Sequence, residues 1–172
     1  GQTSTANTDG VALGHLYVGS EDLYPEGTYD STMLGRNKGR SASHEVGHFL
    51  GLRHIWGDEN NCTADDYCAD TPIHLTATSS CPTGPVDTCP AQPGNDMTEN
   101  YMDYTPDECL NIFTLNQKDR MQAVLANSPR RNSLITSNSC TPGTATINND
   151  GSLHLVPFNT NCGTTFTPEF LL

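Results

Sequence analysis

The sequence predicts an α+β domain in which long loops connect a few helices and strands. Two stretches have helical spacing, one after Ser41 and one from Leu115 to Ala126. An apolar run near the start of the chain and alternating residues near its end favour strands. Charged residues make up only 16% of the 172-residue chain, while Gly, Pro, Asn, Ser and Thr are abundant. We therefore expect one loop-rich domain with a real core, followed by a tail.

The first predicted strand is the run Val-Ala-Leu-Gly-His-Leu-Tyr-Val from Val11 to Val18, which is short and partly β-branched or aromatic. His15 lies on this run and has no neighbour at ligand spacing, so we expect it to be structural or to face solvent. Residues 19 to 40 carry Gly, Pro, Asp and Asn repeatedly and predict a long loop. The hydroxyl of Ser41 can accept an early amide hydrogen bond, so we expect Ser41 to cap the helix that follows.

The eleven residues from His44 to His54 have the spacing of a catalytic zinc site. Positions four apart share one face of a helix, so His44 and His48 can present two imidazoles to one metal with Glu45 beside them. Gly51 can take the left-handed conformation that ends a helix, which returns His54 to the same point. A lone histidine is usually a core residue, but these five fixed positions coincide by chance in roughly one window in ten million. Three protein ligands leave a position for water, as in catalytic zinc sites.

Seven cysteines lie at positions 62, 68, 81, 89, 109, 140 and 162. None has the C-x-x-C spacing of a zinc ribbon, so disulfides formed in an oxidising compartment are the better interpretation, and they predict export. Because the number of cysteines is odd, one thiol is expected to have no disulfide partner within the chain. Because residues 58 to 94 show no helix or strand pattern, we expect a loop region that disulfides hold together.

The chain carries a net charge of -12, which argues against nucleic acid and anionic membrane surfaces as partners. No stretch approaches the roughly eighteen apolar residues of a membrane span. Three carboxylates and a hydroxyl fall between Asp65 and Thr71, and hard oxygen donors at such short spacing suit Ca²⁺. The pattern lacks the EF-hand spacing and its closing glutamate, so an acidic turn without a ligand fits these residues equally well.

The second helix has a clear start and end. Thr114 and Gln117 form a capping box, and apolar residues including Met121 lie on a helical stripe. Asn127 and Pro129 end the helix.

The tail alternates in hydrophobicity around Asn149-Asp150-Gly151, which predicts a β-hairpin closed by Cys140 and Cys162. We therefore divide the chain into a domain at residues 1–127 and an extension, or the start of a further module, at residues 128–172.

Two motifs carry a resemblance to a known family. The residues from His44 to His54 match the H-E-x-x-H-x-x-G-x-x-H consensus of metzincin metalloproteases at every fixed position. Met102, within Asn-Tyr-Met-Asp-Tyr, resembles the methionine turn beneath the metal of metzincins. Flanking strings, among them His-Ile-Trp-Gly-Asp, Asp-Thr-Pro and Phe-Thr, resemble the pappalysin branch, which includes ulilysin and the cytophagalysin-like bacterial proteases. The resemblance covers the chain from about Asp9 to Asn127.

The resemblance implies a metzincin-like zincin fold with a catalytic zinc helix and a loop-rich, disulfide-stapled C-terminal subdomain that contains one further helix. Metzincins place a sheet and a long helix before the zinc helix, and only 43 residues precede His44 here. The N-terminal sheet subdomain is therefore expected to be truncated.

The resemblance also implies roles for single residues. Zinc would be bound by His44, His48 and His54, with Glu45 as general base, Tyr104 stabilising the oxyanion and Met102 forming the floor under the metal. Disulfides would join Cys62 to Cys89 and Cys81 to Cys109, leaving Cys68 without a partner. Calcium ligands would include Asp66 and Thr71. Glu108, alone or with Asp107, would line the pocket for the residue after the scissile bond, where a buried carboxylate would select Arg or Lys.

These residues predict a secreted zinc endopeptidase that cleaves peptides or proteins, with zinc and calcium as cofactors. Two alternatives stay open at this point, because much of the sheet that holds substrate in metzincins is missing. The chain could be an inactive zinc-binding interaction module. It could also be a calcium-dependent adhesive part of a larger secreted protein.

Overall fold

The computed structural model describes residues 9–30 and 35–137, and the backbone of two strands at 144–147 and 153–156. Its elements in chain order are a 3-10 helix at His15–Tyr17, helix α1 at Arg40–Phe49, helix α2 at Leu115–Asn127, helix α3 at Asn132–Ile135, strand β1 at Thr144–Ile147 and strand β2 at Leu153–Val156. No helix within these described ranges is long and apolar enough to cross a lipid bilayer.

The predicted strand at Val11–Val18 is wrong, because this segment contains the 3-10 helix. The Tyr17 amide donates to the Gly14 carbonyl at 3.0 Å and closes the turn. A strand needs a neighbour to satisfy its backbone groups. Before α1, the described residues offer only an isolated bridge between Asp30 and Arg36. His15 is exposed, as expected.

Helix α1 begins at Arg40, one residue before the predicted cap Ser41, which lies inside the helix. Its N-cap is Gly39, at a φ of 76°, and no neighbouring side chain caps it. The buried carboxylate of Asp107 does so instead, since its Oδ2 accepts from the amides of Lys38 at 2.9 Å and Arg40 at 3.1 Å. A distant carboxylate therefore takes the role that the sequence assigned to Ser41, and satisfies amides that the helix start leaves unpaired.

The end of α1 depends on Gly51. Its φ of +90° is left-handed, and a Cβ there would lie 2.7 Å from Cγ2 of Val124 on α2. Arg120, also on α2, donates from Nε to the Gly51 carbonyl at 2.7 Å. The turn after α1 is thus shaped by glycine and held by the second helix.

Helix α2 starts with the predicted capping box, in which Thr114 and Gln117 exchange hydrogen bonds. The same Gln117 side chain also exchanges hydrogen bonds with the buried amide of Asn100, at 2.8 and 3.1 Å. The start of α2 is therefore tied to the turn that carries Met102. The apolar core lies between these elements and consists of Leu52, Ile55, Trp56, Cys68, Met102 and Met121.

The residues between 58 and 97 contain neither helix nor strand. Disulfides join Cys62 to Cys89 and Cys81 to Cys109, the pairs that the family resemblance implied. Cys68 is a buried free thiol, and burial raises its pKa to about 12, so it stays protonated and unreactive. The predicted pairing of Cys140 with Cys162 falls outside the described residues.

Arg131, which follows α2, connects the start of the described chain to α1. It is 2% exposed, donates from Nη1 and Nη2 to the Asp9 carboxylate at 2.7 and 2.9 Å, and donates from Nε to the Phe49 carbonyl at 2.9 Å. Contacts with α1 therefore extend past the predicted boundary at Asn127, which stays a prediction. Further on, β1 and β2 pair antiparallel, with Thr144 opposite Val156.

Candidate metal centre

Three imidazoles converge at one point beside α1. His44 and His48 lie on successive turns of the helix, and His54 follows the turn at Gly51. Nε2 of His48 lies 3.1 Å from Nε2 of His44 and 3.1 Å from Nε2 of His54. The helical spacing and the glycine turn together produce the grouping that the sequence predicted.

The second nitrogen of each ring, Nδ1, contacts an oxygen acceptor. Nδ1 of His44 contacts the Tyr101 carbonyl at 2.6 Å, and Nδ1 of His48 contacts the Leu52 carbonyl at 2.9 Å. Nδ1 of His54 contacts the carboxylate of Asp58. Carbonyl and carboxylate oxygens only accept, so we assign the proton of each ring to Nδ1. All three Nε2 atoms then face one another with bare lone pairs.

This arrangement fits a zinc ion. Zinc–nitrogen bonds of about 2.0–2.1 Å in a tetrahedron place the nitrogens about 3.3 Å apart, close to the observed separations. Burial lowers the pKa of His44 to about 4 and also lowers the pKa of His54, so both rings are neutral at pH 7, as metal ligands must be. Without a cation, lone pairs at such distances repel one another.

Met102 lies beneath the metal-binding helix and is fully buried. A Cβ at Gly47, between the two histidines of α1, would lie 2.5 Å from its sulfur. The absence of a side chain at Gly47 is therefore what lets Met102 pack against the helix. The Met102 amide donates to Oδ1 of Asn100 at 2.9 Å, which fixes the turn.

Glu45 and Tyr104 line a cavity of about 430 Å³ that opens beside His44. Its other walls come from Ala12, Leu13, Gly14, Tyr17, Arg36 and Ser41. Tyr104 is 40% exposed, and the centroid of its ring lies 4.9 Å from that of His54 and 5.6 Å from that of His44. Burial raises the pKa of Tyr104, so its phenol remains a hydrogen-bond donor. The predicted base and oxyanion donor thus share one cavity.

The predicted specificity residues do not line this cavity within the described chain. Asp107 is buried, and its Oδ2 caps α1. Its role in a substrate pocket stays a prediction. Glu108 is exposed and lies beside Cys81 of the second disulfide.

The predicted calcium ligands Asp66 and Thr71 are in contact and both buried. Oδ1 of Asp66 accepts from the Thr71 hydroxyl at 2.7 Å and from the Cys68 amide at 2.9 Å. Its Oδ2 is buried with no hydrogen-bond partner, and burial raises the pKa of Asp66 to about 6.

Two residues beside His54 were not assigned a role at the metal from the sequence. Trp56 stacks on the His54 ring, with centroids 4.2 Å apart and planes 10° from parallel. Asp58 contacts Nδ1 of the same ring. The spacing of four residues between His54 and Asp58 was the available signal, although that segment is not helical.

Comparison with known proteins decides the family. The model of the peptidase family described as pregnancy-associated plasma protein-A matches residues 5–126. The chain belongs to this family, the pappalysins. The resemblance drawn from the sequence motifs is confirmed, and the family implies zinc, with which the histidine triad is compatible.

Curated relatives of this pappalysin are named extracellular metalloproteases. One from Neurospora crassa is 40% identical over 126 residues, which is 65% of this chain and 43% of the relative. Another from Arthroderma gypseum is 50% identical over 88 residues, which is 50% of this chain and 29% of the relative. The chain thus spans less than half the length of the curated relatives it matches.

Solved structures give a consistent result. Mature mirolysin of Tannerella forsythia, in complex with a cleaved peptide, is 42% identical with a TM-score of 0.55, and the match covers 63% of this chain and 40% of mirolysin. Mirolysin in complex with compound 9 gives a TM-score of 0.56 over 63% of this chain and 41% of mirolysin. The fold is therefore metzincin-like, as predicted; the finer division into subdomains stays a prediction.

Proposed function

We propose that this pappalysin is a secreted zinc-dependent endopeptidase that hydrolyses peptide bonds in peptides or proteins. The observation that carries the proposal is the convergence of three bare Nε2 atoms beside a cavity that Glu45 lines. Three nitrogen ligands leave a coordination position for water, which is typical of catalytic zinc and not of structural zinc. Secretion is supported by the two disulfides and by the extracellular relatives.

Glu45, Tyr104 and the three histidines each have a role in the proposed reaction. Bound zinc would lower the pKa of water to about 7 and polarise the scissile carbonyl. Glu45 accepts the proton of the attacking water and returns it to the leaving amine. Tyr104 donates its phenolic hydrogen bond to the developing oxyanion. Nδ1 contacts with fixed acceptors hold His44 and His48 in the orientation that presents Nε2.

Calcium belongs to the proposal as a structural ion. The unpartnered Oδ2 of Asp66 would gain a partner, and the neighbouring Thr71 hydroxyl and Cys68 carbonyl are oxygen donors of the kind Ca²⁺ binds. A divalent cation there would also favour the ionised carboxylate, which burial alone disfavours.

A preference for Arg or Lys after the scissile bond is the last part of the proposal. Its support is the net charge of -12, which attracts cationic peptides. Glu108 is exposed and outside the described cavity wall, so it would act by attraction at a distance and not by a buried contact. Two peptides that differ only by Arg or Gln at that position measure the preference directly.

The proposal is tested by cleavage of a denatured protein substrate, followed by mass spectrometry of the products. We expect internal cleavage by the full chain, loss of cleavage with the zinc chelator dipicolinate, and recovery when zinc is restored. Zinc binding without cleavage would overturn the peptidase function and favour an interaction module. Binding to a partner that survives zinc removal and requires calcium would favour the adhesive alternative.

A further inference from the structure

His54 differs from the other two histidines of the metal centre in what holds it. His44 and His48 lie on α1, and their Nδ1 atoms contact backbone carbonyls. His54 lies after the helix, and its Nδ1 contacts the side-chain carboxylate of Asp58. It is therefore the only described histidine of the triad whose outer partner carries a formal charge and can be replaced by mutation.

Asp58 is itself fixed in place by its surroundings. Its φ of 68° is left-handed, as is the φ of 70° at Gly57 before it. A Cβ at Gly57 would lie 2.6 Å from the Asp65 amide nitrogen, so this bend is packed closely against the next segment of the loop. Asp is among the few non-glycine residues that adopt this conformation readily, so the close packing of the bend is what fixes the position of Asp58.

Arg53 binds both the carboxylate and the bend that carries it. Its Nε donates to Oδ2 of Asp58 at 3.3 Å, and its Nη2 donates to the Gly57 carbonyl at 2.7 Å. Its Nη1 donates to the Asp65 carbonyl at 3.3 Å. One oxygen of Asp58 is thus held by Arg53, which leaves the other directed at His54.

The plane of the His54 ring is fixed independently. Trp56 stacks on it with nearly parallel planes, and Trp56 is buried in the core. Stacking restrains the tilt of the ring, but a half-turn about the Cβ–Cγ bond keeps the same plane and exchanges the positions of Nε2 and Cε1. A hydrogen bond at Nδ1 selects the orientation that directs Nε2 towards the other two imidazoles.

We propose that Asp58 is a positioning residue for the metal centre, which directs Nε2 of His54 at the zinc and strengthens this nitrogen as a donor. The inference rests on the proposed zinc function. A carboxylate that accepts from the outer nitrogen of a histidine raises the basicity of the inner nitrogen, and loss of such a partner typically weakens metal binding by about 10- to 100-fold. Asp58 thereby sets how tightly the site holds its metal.

The test compares zinc affinity of the full chain with that of Asp58→Asn, by competition with a chromophoric chelator. Asn has nearly the same size, tolerates the left-handed conformation and can still accept a hydrogen bond, so the substitution removes mainly the charge. We expect the zinc dissociation constant to rise about 10- to 100-fold. The visible spectrum of the Co²⁺-substituted chain should also shift, because that spectrum reports ligand geometry and donor strength and is independent of peptidase activity.

Glu59→Gln is the matched control, because Glu59 is the next residue, is exposed and contacts only the Asn61 amide by a described hydrogen bond. It removes the same charge and should leave zinc affinity within about twofold of wild type, since exposed charges are strongly screened. If Asp58→Asn does not fold, Arg53→Gln serves as the second variant. It keeps the Asp58 carboxylate but removes the guanidinium that holds it in place, and it should also weaken zinc binding.

The outcomes separate the inference from the function on which it rests. Tight zinc binding by both wild type and Asp58→Asn would overturn the dependence of zinc affinity on the Asp58 carboxylate and leave the zinc function standing. Equal weakening of zinc binding by Glu59→Gln would also overturn the role of Asp58, because the effect would then come from the loss of any negative charge near the site. Absence of zinc binding by the wild type itself would overturn both.

Discussion

Replacement of Glu45 by Gln is expected to lower kcat/KM for peptide cleavage by at least about a hundredfold, the usual contribution of a general base. Gln keeps the size of the side chain and its hydrogen bonding but cannot take a proton at neutral pH. The three histidines are untouched, so zinc content should be unchanged. Steady-state cleavage of a fluorogenic peptide, together with metal analysis of the same sample, measures both quantities.

The control for this substitution is Glu26→Gln, since Glu26 is exposed and lies outside the residues that line the cavity. It should cleave at the wild-type rate. Cleavage by Glu45→Gln at the wild-type rate would contradict the role of Glu45. Loss of zinc along with activity would place Glu45 in metal binding and not in proton transfer.

Removal of the disulfide between Cys62 and Cys89 is expected to have the largest effect on stability. The bond closes a loop with a sequence separation of 27 residues, in a region without helices or strands. Loop-closure entropy for such a length predicts a loss of about 3.5 kcal/mol in the free energy of unfolding for Cys62→Ser with Cys89→Ser. Urea denaturation at saturating zinc measures the change, with zinc held constant because a bound metal stabilises the folded state.

Cys68→Ala is the matched control, because it removes a buried cysteine that takes part in no disulfide. It leaves only a small cavity and should cost about 1 kcal/mol. If the double serine variant loses less free energy of unfolding than Cys68→Ala does, the prediction is contradicted. The unfolded chain would then gain little conformational entropy when this disulfide is absent.

The metal centre was predictable because its geometry is encoded locally. His44 and His48 are four residues apart on one helix, and Gly51 provides the left-handed turn that brings His54 to them. Helical periodicity and the conformational freedom of glycine act within eleven residues, and a sequence shows both. The start of α2 was predictable for the same reason, since its capping box spans Thr114 to Gln117.

The parts that were not predicted depend on contacts between distant residues. The carboxylate that caps α1 comes from Asp107, 67 residues beyond Arg40, so local reasoning assigned the cap to Ser41. The acceptor for Nδ1 of His44 is the carbonyl of Tyr101, 57 residues away. Backbone carbonyls have no sequence signature, and a carboxylate in sequence gives no indication of which amides it will reach.

The strand prediction at Val11–Val18 was wrong for a related reason. Apolar and β-branched composition describes a surface suited to a sheet, but a strand forms only where a neighbour accepts its hydrogen bonds. The described residues before α1 provide no such neighbour beyond one isolated bridge, and the segment closes on itself through Tyr17 and Gly14. Ala12, Leu13 and Gly14 nevertheless line the cavity beside Glu45. The segment therefore borders the proposed reaction site without being a strand.

Zinc content of the purified chain tests the metal centre most directly. After dialysis against buffered zinc, mass spectrometry under native conditions should show a single zinc ion per chain. His48→Ala should abolish it, because Nε2 of His48 contacts those of both other histidines. His15→Ala, which replaces an exposed histidine, should bind zinc as the wild type does. A wild-type chain without zinc, or a His48→Ala chain that retains it, would contradict the assignment of the three histidines as the ligands of a catalytic zinc.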